Sequence, residues 1–276
     1  MSGKKNKAGN ERRKNAFFRY FELLISKIDK LFYLNIVYLI FILPLLCGLV
    51  ALALNMFGVP PEFAGKVSIF TYAVRLSYVF PQPVSMILFV ASAVLYGPIT
   101  AGFTYMVRNY VSGRHVWFSE LFKRAKENFK QGFLLGIIDI IVVISLLMYA
   151  ALDISKLDNT QKLYYGFMRT AFFIVFIFYV YMRHYLYLLA VTFDLSLKAV
   201  FKNSAIFAVL GVINNTVATL IILVITWTFN STPAVDAVLI VSIYFSLCAF
   251  TSMFAAYPIV KKYMLEEKSG KSDGIE

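Results

Sequence analysis

A chain of 276 residues that is 60% hydrophobic and only 15% charged, with a mean hydropathy of +0.72, is too apolar for a water-soluble domain, where about 45–50% and about 25% are usual. Its natural solvent is a bilayer. The net charge of +12 does not point to nucleic acid, because the basic residues follow the alternation of a membrane topology. Two separated cysteines, Cys47 and Cys248, and two separated histidines, His115 and His184, exclude a metal centre of ordinary ligand spacing. The cysteines read as free, buried thiols.

Residues 1–14 read as a disordered basic tail, 15–265 as one membrane domain and 266–276 as a second disordered tail. In 15–34, Phe17, Phe18, Phe21, Leu24, Ile25, Ile28, Leu31 and Phe32 recur every three or four positions, which makes one apolar helical face. Arg19, Glu22, Lys27, Asp29 and Lys30 fall mostly elsewhere. This predicts an amphipathic helix, lying in the interface or packed on the spans. The apolar run that follows is long and has no small-residue cleavage site, so it reads as a retained span.

Six runs are long enough to cross a bilayer: 31–54, 84–107, 132–152, 170–193, 205–229 and 235–260. Pro44 in the first, and Gly97 and Pro98 in the second, are candidate helix breaks, although small residues there also permit close helix packing. Between these runs, 55–83 is a long loop bracketed by Pro60-Pro61 and Pro81-Gln82-Pro83 and rich in aromatics. It predicts a short amphipathic helix on the outer interface. In the next connection, WFSELFKRAKENFKQG predicts an amphipathic elbow. Phe118, Leu121, Phe122, Ala125 and Phe129 form its apolar face, and Ser119 is its expected N-cap. Lys123, Arg124, Lys126 and Lys130, with Lys198 and Lys202 after the fourth span, are candidate contacts for anionic headgroups or for a partner protein. Asn230-Ser231-Thr232-Pro233 predicts a tight turn between the last two spans.

Lys and Arg decide the orientation. Segments 1–30, 108–131, 194–204 and 261–276 hold 21, whereas the alternate connections hold five and Arg183 lies within a run. That asymmetry predicts an all-α bundle of six transmembrane helices with both termini cytoplasmic.

Ionisable residues inside spans are costly and mark candidate sites. Asp139 in the third span and Arg183 in the fourth lie at similar depths, so a pair would neutralise both. Such a pair reads either as a gate or substrate site or as a structural tie, and Arg183 alone could snorkel to the headgroups. His184 adjoins it. Asn214 and Asn215, with Thr216, form a polar cluster in the fifth span that is either interhelical glue or the wall of a water-filled path. A shift of 75 residues aligns 96–136 with 171–211 and matches Arg108 with Arg183, suggesting a parallel repeat and an Arg183 nearer the cytoplasmic surface. No P-loop, HExxH, GxSxG or acidic metal cluster is present, so no enzyme, cofactor or metal is expected.

Three stretches resemble the YesL-like family of bacterial integral membrane proteins, a domain of unknown function. They are FFRYFELLISKIDKLFYLNIVYLIFILPLL with Leu34-Asn35 and Pro44, LYGPITAGFTYMVRNYVSGR followed by FKRAKENFKQG, and FDLSLKAVFKNSA. The resemblance covers 15–265, and loop 55–83 departs from it. It implies a non-enzymatic component of the bacterial cytoplasmic membrane that assists carbohydrate uptake, with an ABC-type sugar transporter as partner. A stand-alone small transporter or channel and a membrane scaffold are the alternatives.

Overall fold

Inside hydrocarbon every backbone N–H and C=O must be paired within the protein, and an α-helix achieves this in a single segment. The computed structural model describes residues 16–57, 82–150, 158–228, 236 and 238–266; of these 93% are helical and none lies in a strand. Nine helices follow in order: α1 (Ala16–Ser26), α2 (Ile28–Phe57), α3 (Gln82–Val111), α4 (Ser119–Glu127), α5 (Phe129–Ala150), α6 (Asn159–Thr192), α7 (Leu197–Leu210), α8 (Val212–Thr228) and α9 (Phe245–Val260). π-Helical turns at Ile240–Tyr244 and Lys261–Glu266 flank α9. Five helical stretches are long and apolar enough to cross a membrane, or six if the bent pair α7–α8 is one span. The chain is therefore an all-helical, multi-pass membrane protein. Residues 1–14 and 267–276 of the predicted tails, residues 58–81 of the predicted outer loop and the Asn230–Pro233 turn lie outside the described residues, whereas Glu266 ends the last π-helical turn.

The predicted fifth span, 205–229, differs most from expectation. Its hydropathy is unbroken, yet the chain turns through 88° between α7 and α8. Gly211 at the corner sits against the Tyr185 hydroxyl so closely that a Cβ would overlap it. The Ala208 carbonyl, whose helical partner would be the amide of Val212 across the break, instead accepts a hydrogen bond from the Asn215 amide at 3.2 Å. With 17 residues, α8 reaches about 25 Å on its own, and α7 lies across it. α6 is longer than predicted. Asp158 and Gln161 form a reciprocal capping box that starts it at Asn159, satisfying two otherwise orphaned donors.

The candidate breaks at Pro44 and Gly97-Pro98 are not breaks, since α2 and α3 run through them. Near Pro44, Ser92 of α3 inserts its hydroxyl into the α2 backbone. It donates to the Phe41 carbonyl at 2.5 Å and accepts from the Leu45 amide at 3.3 Å. Gly97 and Pro98 instead meet Gly132 and Gly136, a Gly-x-x-x-Gly pair on α5. A Cβ on Gly136 would come within 2.7 Å of the Gly97 Cα, and one on Gly132 within 2.9 Å of the Pro98 Cα. Such close backbone approach is what small residues provide in membranes, where dispersion forces take over from hydrophobic burial. α3 is the central element, touching α2, α4, α5, α6 and α9.

Ser119 does not cap α4. Phe118 occupies that position with no side-chain capping bond. α4 is held instead by Leu121 and Ala125, buried where Gly102 of α3 lets the helices touch. The predicted amphipathic helix at 15–34 divides at Lys27 into α1 and the start of α2. α1 exposes Phe17, Phe18, Phe21 and Ile25 but is pinned by Tyr20, which packs on Phe250 and Phe254 and bonds the Thr251 hydroxyl at 2.8 Å. It is thus packed on the spans, one of the two predicted placements, with an exposed aromatic face.

The buried core is concentrated at one end, where α3 and α6 finish and α5 begins; Arg108 and Gln131 fasten it by bonding the backbone at Val191 and Leu195. Arg114, the α4 cations, Lys198, Lys202 and Lys261 cluster at this basic end. The two stretches matched by the 75-residue shift do not occupy equivalent positions in their helices. Arg108 lies three residues before the end of α3, Arg183 nine before the end of α6. Arg183 is therefore deep in its helix.

Asn35 of α2, fully buried, holds the π-turn before α9. Its amide donates to the carbonyls of Ile240 (2.9 Å) and Val241 (2.8 Å), and its Oδ1 accepts from the Ser246 amide at 3.0 Å. A π-turn disturbs the regular backbone ladder, and one side chain closes three of its groups. Asn35→Ala is expected to destabilise the protein by about 2 kcal/mol, because buried backbone groups lose their partners. A thermal unfolding midpoint equal to wild type in detergent would refute this role.

Candidate functional site

The site forms where three long helices carry polar groups at one level. Asp139 lies ten residues into α5 and Arg183 nine from the end of α6. Each is therefore about 14–15 Å from the basic end of its helix, a depth equal to about half of a hydrocarbon core of about 30 Å. The structure joins them: Arg183 Nε donates to Asp139 Oδ1 at 3.0 Å.

Three tyrosines complete the cage. Tyr179 donates to Oδ1 at 2.6 Å, Tyr187 to Oδ2 at 2.9 Å and Tyr96 of α3 to Oδ2 at 3.2 Å. Arg183 Nη2 in turn donates to the Tyr96 hydroxyl at 2.9 Å, linking cation, phenol and carboxylate in one ring of bonds. Tyr179, Arg183 and Tyr187 recur every four residues, so they share one face of α6. An intramembrane carboxylate survives only when paired and fully hydrogen-bonded. Asp139 meets that condition with four bonds and 3% of its side chain exposed, whereas Arg183 leaves 43% of its side chain exposed. Its Nη1 has no hydrogen-bond partner among the described residues.

The other candidates do not join this cage. His184 faces away and ties α6 to its other neighbours, with Nδ1 2.6 Å from the Ser252 hydroxyl and Nε2 3.2 Å from that of Thr219. Asn215 is buried and accepts from Tyr185 at 2.8 Å, so it is the brace of the α7–α8 corner. Thr216 bonds Tyr181 at 2.8 Å. Asn214 is exposed. No family model, no curated protein and no solved structure matches the chain, so the reading rests on geometry and on the sequence itself.

At the basic end, Lys123, Lys126, Lys130, Lys198 and Lys202 are exposed. Arg124 differs from them. Its guanidinium lies 4.6 Å over the Tyr105 ring and pairs with Glu127 at 2.8 Å and Glu120 at 3.4 Å. Arg108 covers the same ring at 4.6 Å, so Tyr105 is held between two cations. Arg124 is thus engaged in anchoring α4. Among the described residues no group of three or more His, Cys, Asp or Glu side chains could hold a metal.

Sequence reasoning missed the tyrosines and Asn35. No hydropathy measure separates a phenol at the surface from one aimed at a carboxylate. The signal was present in the four-residue spacing of Tyr179, Arg183 and Tyr187, all of which face the helix that carries Asp139.

Proposed function

We propose that the chain is a non-enzymatic protein of the bacterial cytoplasmic membrane that assists or regulates a solute transporter, with its basic end in the cytoplasm. The observation that carries this reading is the contrast between its two polar regions. In mid-bundle, the bonds of Asp139 tie α3, α5 and α6 together as a clamp. At the basic end, Trp117, Phe118, Phe122 and Phe129 stand exposed beside Lys123, Lys126 and Lys130, on and immediately flanking α4, whose opposite face is buried. Aromatic anchors ringed by polar groups are the composition of an interaction surface. The 21-to-5 distribution of basic residues supports the orientation. The resemblance of three stretches to the YesL-like family supports a carbohydrate as the solute and an ABC-type transporter as the partner.

Pull-down in mild detergent, with the recovered proteins identified by mass spectrometry, tests this. A transporter subunit is expected with the wild type, and Trp117→Ser/Phe118→Ser should lower its recovery at least about tenfold, the loss of one modest hot spot. Both side chains are exposed, so the fold is expected to survive. Recovery of no transporter subunit across several growth sugars refutes the reading. A second reading, a small stand-alone transporter, is favoured by the half-open Arg183. It requires that Arg183→Lys change solute flux in vesicles containing this protein alone.

A further inference from the structure

Beneath α1 at the basic end lies a cavity of about 1180 Å³, walled by α1, the end of α3, the start of α8 and the second half of α9. Its lining is graded. Arg19, Arg114 and Lys261 stand at the end of the bundle, and no lining residue is acidic. Going inward, α8 contributes Val217 and Ile221 and α9 contributes Phe254. α8 runs away from the basic end and α9 runs toward it, so Val217, Ile221 and Phe254 lie deeper than the cations, and the deepest α9 lining residue, Thr251, has its hydroxyl bonded to Tyr20. Arg19 and Arg114 are exposed and make no ion pair among the described residues.

We propose that this cavity holds one anionic glycerophospholipid of the surrounding membrane. Its phosphate would lie at Arg19 and Arg114, and an acyl chain would run along Val217, Ile221 and Phe254. Charge complementarity selects the occupant. Cations at the depth of the headgroups favour a negative one, and an apolar slot leading inward from them suits hydrocarbon rather than a soluble anion or a polar peptide. α1, pinned by Tyr20, forms the roof.

Native mass spectrometry after release from nanodiscs of equal phosphatidylglycerol and phosphatidylcholine tests the proposal. The wild type is expected to retain one phosphatidylglycerol per chain. Arg19→Gln/Arg114→Gln should cut the preference for phosphatidylglycerol about thirtyfold, as expected for two lost headgroup contacts. Val217→Trp, which fills the slot and leaves the cations in place, should abolish retention of either lipid. Lys162→Gln/Arg169→Gln, near the start of α6 away from the basic end, should change nothing. Equal retention of the two lipids by the wild type overturns the proposal, as does unchanged selectivity in the arginine double variant. A lipid bound only after deletion of the acidic-containing segment 267–276 also overturns it, by making that segment the occupant.

Discussion

Asp139→Ala is expected to destabilise the protein by about 3–5 kcal/mol, the cost of breaking a buried pair by removing one partner. The arginine is left at mid-bilayer depth without its counter-charge, and three phenols lose their acceptor. Tyr179→Phe and Tyr187→Phe should each cost far less, about 0.6–1.7 kcal/mol, since the remaining bonds still hold the carboxylate. Asp139→Leu/Arg183→Met should recover most of the loss, because replacing both members of an ion pair by apolar groups of similar volume is often neutral. The unfolding midpoint in detergent, followed by the monodisperse fraction on size exclusion, measures all four. A double variant no more stable than Asp139→Ala would show that the cage does more than neutralise two charges.

Gly97→Val comes next in size, with an expected loss of at least about 3 kcal/mol. Its Cβ would overlap the Gly132 carbonyl and approach the Gly136 amide within 2.9 Å. Both obstacles are backbone, so no side-chain rotation relieves them, and α3 must part from α5. Gly136→Val should act alike, from the opposite side of the same contact. Gly166→Ala on α6 is the matched control, because nothing lies within 4 Å of its added methyl. It should be neutral or gain about 0.5–1 kcal/mol from helix propensity. Loss of folded protein with both valine variants but not with Gly166→Ala is the expected outcome. Equal stability of Gly97→Val and the wild type would show that the two helices do not cross there.

The parts of this fold that hydropathy can see were legible in the sequence. Long apolar runs must become helices in lipid, and counting residues from their ends was enough to put Asp139 and Arg183 at one depth and so within reach. Direction is what hydropathy does not record. The turn at Gly211 has apolar residues on both sides, and its causes, the hydroxyl of Tyr185 and the amide of Asn215, come from contacts the linear pattern does not hold. The prolines misled for a related reason. Pro44 and Pro98 were read as interruptions, but Ser92 supports the backbone beside one, and the glycines of α5 pack against the other. The role of Asn35 is invisible in the linear pattern because its three partners lie more than two hundred positions away.

α6 joins two regimes in one rod. From Tyr185 to Val191 every side chain is buried, while before it Phe173, Ile174, Val175, Ile177 and Phe178 stand exposed. At the first stretch the neighbours dictate volume, shape and hydrogen bonding at each position. At the second, the surroundings ask only that a residue be apolar and helix-compatible. Over evolutionary time the two halves should therefore drift at different tempos, the exposed half exchanging Leu, Ile, Phe and Val freely while the buried half stays nearly fixed.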